Sequence, residues 1–323
     1  MNDTLIITST FDEHADFMTP VLESRGNAVF RFNTDSLCQY QIDFRPDLCE
    51  VRLFDKKSLK TIRISDEISV WFRRPSPDKS HDQLLDEGGI KYSRAEGKDF
   101  IKSIMFWCKS AFWISPPLSL YYNRIKTNQL CAAVDSGLRI PKTLVSQDPE
   151  LVKQFWSECH GKVIAKTLKL PYVHAQNEYY VLRTKLLTET DLEKQNLYLC
   201  PLIYQERIET VFEIRIVTLG TRIFSFRHDR NSVTDVVDIR SGGLASRKCI
   251  SIDLPDFIRN QIQALVKKLD ASFASMDMLV DINENYYFVD LNPNGQWLWL
   301  ELLTGIKISE ALAHALVTKT LPQ

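Results

Sequence analysis

The sequence has 323 residues, 44% hydrophobic and 25% charged, with a formal net charge of -1. That length predicts two or three lobes with their own apolar interiors, and near-neutrality supplies no broad field for nucleic acid, so any phosphate site is local. No apolar run approaches the ~20 residues of a membrane span, Met1 to Ile7 lacks the basic start and apolar stretch of a signal peptide, and seven scattered cysteines without a C-x-x-C pair argue against disulfides or zinc; a cytoplasmic protein with reduced thiols is expected.

In chain order, Thr4 to Thr8 is a short β-rich apolar run, Asp12 to Ser24 has helical spacing, and Gly26 ends it before a strand at Val29 to Phe32, which makes a βαβ start. Alternation from Leu48 to Ile64 predicts a hairpin meander, and Ile68 to Phe72 a buried strand ending at Arg73, Arg74 and Pro75. Asp78 to Gly89 reads as loop. Helical periodicity runs from Ser93 to about Phe112, and Pro116-Pro117 stops it. The first boundary falls there, giving lobes at 1–117, 118–200 and 201–323. The middle lobe opens with a helix from Tyr122 to Ser136 that carries Lys126 and ends at Gly137, and a strand at Val163 to Thr167 holds Lys166. The last lobe has strands at Leu202 to Arg207, Glu213 to Leu219 and Arg222 to His228, with Gly220-Thr221 as a turn. A helix from Pro255 to Leu269 precedes strands at Phe273 to Asp281 and Tyr286 to Leu291, which join through Asn283-Glu284-Asn285, and a helix at Ser309 to Thr318 closes the chain.

The strongest chemical signal is in that last hairpin. Asp277 lies on one strand, and Asp290 and Asn292, two apart on the next, share a face by period-two alternation. Three hard oxygen donors then converge, a set that suits magnesium with ATP, whose phosphates and waters complete the octahedron. Read alone, the same residues also fit a solvated turn and strand end.

The segment Phe288-Val-Asp-Leu-Asn-Pro-Asn-Gly-Gln-Trp-Leu-Trp-Leu-Glu301 closely resembles the magnesium motif of ATP-grasp ligases, in which an acidic residue stands thirteen positions before a second one followed by x-Asn-Pro; 290 minus 277 is that spacing. The resemblance implies an α/β chain of α+β lobes, the ATP-grasp fold behind an N-terminal βαβ pre-ATP-grasp domain, with Asp277, Asp290 and Asn292 as magnesium ligands. Asp290 departs from the commoner Glu. Tyr204-Gln-Glu-Arg-Ile208 resembles the family's hinge strand, which implies that Gln205, Glu206, Arg207 and Ile208 meet the adenine, and Glu213 falls at the ribose-binding carboxylate. Lys126 and Lys166 resemble the two phosphate-reaching lysines. Arg215, two beyond Glu213, is placed to contact phosphate or acyl phosphate, or to pair with Glu213. The family's glycine-rich phosphate loop is not matched, because Lys169 to Gln176 contains no glycine.

A narrower resemblance, to the microviridin-type graspetide synthetases, rests on Ile6-Ile-Thr-Ser-Thr-Phe-Asp-Glu-His-Ala-Asp16, Phe30-Arg-Phe-Asn33, Val70-Trp-Phe-Arg-Arg-Pro75 and Asn292-Pro-Asn-Gly-Gln-Trp-Leu-Trp299. It implies a ribosomal peptide macrocyclase that uses ATP to activate Asp or Glu side chains of a precursor peptide as acyl phosphates and joins them to Thr or Ser hydroxyls as esters, or to Lys amines as amides, the ester favoured. Asp238-Ile-Arg240 resembles a family element near the reacting carboxyl, so Asp238, Arg240 and Arg215 are the candidate catalytic set. Arg73, Arg74 and Arg247 are candidates for holding an acidic core peptide, the leader is expected to dock around Tyr179 to Lys185, and a homodimer is expected. The alternatives are a carboxylate-amine ligase acting on a small molecule or protein tail, and a non-catalytic nucleotide-binding protein.

Overall fold

The computed structural model describes residues 3–169, 172–175, 178–181, 184–229 and 249–323. At its start β1 (Asp3–Thr8) runs parallel to β2 (Ala28–Asn33) across α1 (Glu13–Glu23). Asp12 caps that helix by accepting from the His14 amide, one of the donors a first turn leaves open. The meander is larger than expected, because β3 (Tyr40–Arg45) precedes β4 (Glu50–Asp55) and β5 (Thr61–Arg63) in one antiparallel sheet. β6 (Ser69–Phe72) then returns beside β1.

Two expectations need correction here. The long helix α2 spans Glu87–Trp107, starting inside the stretch read as loop, since Asp86 caps it by accepting from the Gly89 amide at 2.7 Å; the low helix propensity of Gly88 and Gly89 hides that start. Pro116 and Pro117 do not stop it either. β7 (Phe112–Ile114) intervenes, parallel to β6, and Pro117 opens α3 (Pro117–Tyr122), where a missing N–H costs no helical bond. In the resulting sheet, ordered β2-β1-β6-β7, Leu5, Ile7, Phe30 and Phe32 pack in a core with Val51, Leu53 and Ile104 of the meander and α2. Ile6, Val29 and Trp71 turn to the opposite face and pack with Ala15, Met18 and Leu22 of α1.

After α4 (Lys126–Asp135) the chain forms β8 (Thr143–Ser146), α5 (Pro149–Glu158), β9 (Val163–Lys166), the pair β10 (Tyr172–Ala175) and β11 (Glu178–Val181), then β12 (Lys185–Leu186), α6 (Glu189–Leu192) and β13 (Leu202–Glu206). An antiparallel sheet ordered β12-β9-β13-β8 packs on α5 through its own core, including Val152, Phe155, Val163 and Tyr204. Strand β13, read from the sequence as opening the last lobe, thus pairs in the middle one. Conversely, Leu130, Ala132 and Ala133 of α4 are buried with Ile262 and Leu265 of the C-terminal lobe.

That lobe comprises β14 (Thr210–Leu219), β15 (Arg222–Asp229), β16 (Cys249–Ser251), α7 (Asp256–Lys268), β17 (Phe273–Asp281), β18 (Tyr286–Asn292), α8 (Leu298–Thr304) and α9 (Ile308–Thr318). Its antiparallel sheet runs β16-β15-β14-β17-β18. Ile214, Ile216, Met276 and Met278 face α4 and α7. Val217, Leu219, Phe226 and Phe273 face the other way, into the core that also holds Leu312 and Leu316 of α9 and, from the N-terminal lobe, Ile6, Met18 and Trp71. The two ends of the chain therefore share one apolar core. Among the described residues no helix is long and apolar enough to cross a membrane.

Candidate active site

β17 and β18 set Asp277 directly opposite Asp290, and Ser275 opposite Asn292. Directly opposed residues hold their Cβ atoms about 4.5–5.5 Å apart on one face, so the two carboxylates and the amide lie on the same side of the sheet. The pairing slips between Asp277, opposite Asp290, and Met278, opposite Phe288. That bulge makes Val289 the extra residue and flips the alternation, so Phe288 and Leu291, three apart, are both buried. On the next strand Arg215 lies opposite Asp277, and its Nη1 donates to Asp277 Oδ1 at 2.6 Å. Arg215 therefore pairs with Asp277 rather than with Glu213. Its Nε is buried and has no hydrogen-bond partner among the described residues, which leaves the guanidinium a donor in reserve for an anion.

A cleft of about 500 Å³ opens over this face. Its walls include Lys126, Lys166, Gln205, Glu206, Arg207, Ile208 and Glu213, together with Arg215, Asp277, Asp290 and Asn292. All the nucleotide and metal candidates read from the sequence thus border one space. Lys166, at the end of β9, donates from Nζ to Gln205 Oε1 at 2.8 Å, and Gln205 Nε2 donates to Thr143 Oγ1 at 3.0 Å. The Gln205 side chain is therefore spent on orienting Lys166 inside the middle lobe. At the link to β14 the Glu206 amide donates to the Lys142 carbonyl at 2.9 Å and the Arg207 amide to that of Lys162 at 2.8 Å, so those two amides are committed within the protein.

No protein-family model and no curated protein sequence matches the chain. Solved structures do. The RiPP-associated ATP-grasp ligase of Chryseobacterium gregarium, in complex with ADP and a leader and core peptide, is 27% identical with a TM-score of 0.89, over 100% of this chain and 98% of its own. The macrocyclase MdnC of Microcystis aeruginosa, bound with precursor peptide MdnA, is 27% identical with a TM-score of 0.86, over 98% of this chain and 100% of its own. This chain is an ATP-grasp ligase. The D-cycloserine synthetase DcsG, 13% identical with a TM-score of 0.60 over 98% of this chain and 99% of its own, shares the fold alone.

In this ATP-grasp ligase the candidate metal set is two carboxylates and one amide, and among the described residues no three His, Cys, Asp or Glu side chains gather around a point. The donors fit magnesium nonetheless, because all are hard oxygens and nucleotide sites leave most of the octahedron to phosphate and water. The Asp277 carboxylate is ion-paired to Arg215.

Arg73 requires a correction. Read as a peptide-binding cation, it is 1% exposed; its Nη1 donates to the carbonyls of Asn294 at 3.2 Å and Gly295 at 3.0 Å, and its Nε to Asp12 at 3.4 Å. It holds the loop after β18 instead of meeting solvent. Arg74, one residue on, is exposed. Asp238, Arg240 and Arg247 lie outside the described residues, as does part of the expected leader surface at 182–183.

Three residues around the β17–β18 hairpin have no role assigned from the sequence. Gln129, buried on α4, accepts from the Leu291 amide at 3.1 Å and donates to the Leu291 carbonyl at 2.7 Å, pinning the backbone between Asp290 and Asn292. Gly295 passes so close to β17 that a Cβ there would lie 1.4 Å from Ser275 Oγ. His14 accepts at Nε2 from the amides of Trp297 at 3.0 Å and Leu298 at 3.1 Å. Burial, then the nearby charge of Arg73, pulls its pKa down to about 3 against the opposing pull of Asp12, so the ring is neutral. A signal existed for Gln129, a lone amide on a helix face of Leu130, Ala132 and Ala133; for His14 it was the quoted Asp-Glu-His run itself.

Proposed function

We propose that this ATP-dependent ligase is a peptide macrocyclase of the graspetide type, which joins Asp or Glu side chains of a ribosomal precursor peptide to Thr or Ser hydroxyls or to Lys amines, esters being favoured. The observation that carries the reading is the likeness, at 27% identity over essentially full length, to two ligases captured with leader, core or precursor peptides. The cleft supports it chemically. A carboxylate is a poor electrophile, so the γ-phosphoryl group of ATP is transferred to it, and the hydroxyl or amine then attacks the acyl carbon as phosphate leaves. Each link removes one water overall.

Magnesium, held by Asp277, Asp290 and Asn292, supplies charge neutralisation at the phosphates. Lys166, from the middle-lobe sheet, and Lys126, at the start of α4, both line the cleft and serve as point charges for the phosphates, and Glu213 offers acceptors to ribose hydroxyls. Arg215, ion-paired to Asp277 and with Nε in reserve, is the chain's own group for charge on the transferring phosphoryl. Asp238 and Arg240 near the reacting carboxyl, Arg74 and Arg247 toward the acidic core, a homodimer and a cytoplasmic location complete the proposal. Co-expression with a neighbouring acidic, Thr- or Ser-rich precursor tests it: mass spectrometry is expected to show the loss of one water per link, with mild base cleaving esters and sparing amides. Unchanged mass with each such precursor, alongside ATP-dependent ligation of a small molecule, would turn the assignment to the carboxylate-amine alternative.

A further inference from the structure

Asn292 ends the metal strand, and the loop that follows it to α8 is gripped from the N-terminal lobe by two side chains of opposite chemistry. Arg73 donates to the carbonyls of Asn294 and Gly295, while the imidazole of His14 accepts from the amides of Trp297 and Leu298. Asp12 joins the two grips, because it accepts from Arg73, takes the Thr8 hydroxyl at 2.5 Å and caps α1 through the His14 amide at 3.2 Å. Thr8, Asp12 and His14 belong to the N-terminal Thr-Ser-Thr-Phe-Asp-Glu-His run, to which the proposed chemistry assigns no role. Within the loop, the Asn294 amide donates to Asn292 Oδ1 at 2.9 Å, so where the loop lies determines where that oxygen lies. Gly295 leaves no slack, given its approach to Ser275.

We propose that His14 is a positioning residue for the metal site: by accepting two backbone amides at the entrance to α8 it fixes the loop that aims Asn292. The inference rests on reading Asp277, Asp290 and Asn292 as magnesium ligands. A histidine that merely filled space would meet carbon atoms, whereas this ring stands edge-on to Trp297 at 5.2 Å and spends its lone pair on the loop backbone. The chemistry required is that of an acceptor, which Gln can supply and Leu cannot.

Isothermal titration of ADP into the full-length protein, without magnesium and at rising magnesium, reads the effect apart from turnover. In His14→Leu the magnesium concentration that half-completes the tightening of ADP binding is expected to rise about ten- to hundredfold, as for other residues that orient metal ligands, with magnesium-free ADP affinity unchanged. His14→Gln is expected to restore most of it. No magnesium dependence in the wild type would sink the metal reading itself; magnesium dependence in the wild type that His14→Leu leaves intact, or that His14→Gln loses as fully as His14→Leu, would overturn the role given to His14. Should His14→Leu not fold, hydrogen exchange on the wild type decides: amides of Trp297 and Leu298 as protected as those of β17 support the proposal, and exchange at open-loop rates refutes it.

Discussion

The wall of the cleft that carries Asp277, Asp290 and Asn292 continues along the same face of its sheet into a core to which both ends of the chain contribute, whereas the wall that carries Lys166 belongs to a small sheet with a core of its own. On the first wall the donors are aimed by residues far away in sequence: Gln129 on Leu291, Arg73 on the carbonyls of Asn294 and Gly295, His14 on two amides. On the second, Lys166 is oriented by Gln205 of the adjacent strand, within one sheet. The difference teaches that the carboxylate side is preorganised by residues from distant parts of the chain and the lysine side by local pairing. Substitutions on the first should therefore damage the chemical step, and those on the second should weaken nucleotide binding.

The comparison breaks most directly at Asp290. Asp290→Asn keeps the shape and removes one of the two carboxylate charges, so peptide modification is expected to fall by more than about a hundredfold, with thermal unfolding little changed; a modified peptide at wild-type yield by mass spectrometry would undo the metal assignment. Gly295→Ala comes next. A Cβ placed 1.4 Å from Ser275 Oγ forces the loop off β17, at a cost of about 1–3 kcal/mol in denaturant unfolding along with a clear loss of magnesium-dependent turnover. Full activity and stability would mean that the loop can move without penalty. Lys166→Ala probes the other wall. Removing a charge-assisted bond to phosphate is expected to raise the KM for ATP about tenfold, with a smaller change in kcat; the reverse split would show that both walls act on the chemical step.

Much of the wall built on β17 and β18 was legible in the sequence, because these strands are long, apolar and alternating, and β17 begins and ends where periodicity places it, at Phe273 and Asp281. Asp290 and Asn292 keep their relative phase because the bulge falls before them, at Val289. What aims these donors was not legible. Arg73 follows a buried strand, and the rule that strand ends hold open sites made it a surface cation, but the carbonyls that bury it come from residues 294 and 295, which no local pattern connects to residue 73. The lobes were harder still. β13 and α4 exchange places relative to the sequence reading because strand pairing and helix packing are long-range choices, and the short strands β8 and β12 carry too few residues for a period to show.

The smallest expected effect sharpens the claim that the carboxylate wall is held from afar. His14 titrates near 6.5 when exposed but only at about 3 in the folded protein, so between those values the unfolded chain binds the extra proton and the folded chain does not. Its contribution to stability is therefore complete above about pH 6.5 and drains away as pH falls toward 3, at up to about 1.4 kcal/mol per pH unit. The Asp12 carboxyl that faces it does not blur this window: burial raises its pKa, but the Arg73 charge and the hydrogen bonds from Thr8 and Arg73 outweigh that and hold it below its ordinary 3.8. Denaturant unfolding between pH 4.5 and 6.5 should show the wild type losing stability more steeply than His14→Gln, which has no proton to take up. Parallel slopes would mean that the imidazole accepts its proton without letting go of the Trp297 and Leu298 amides, and so that the loop beside Asn292 is held by something other than this ring.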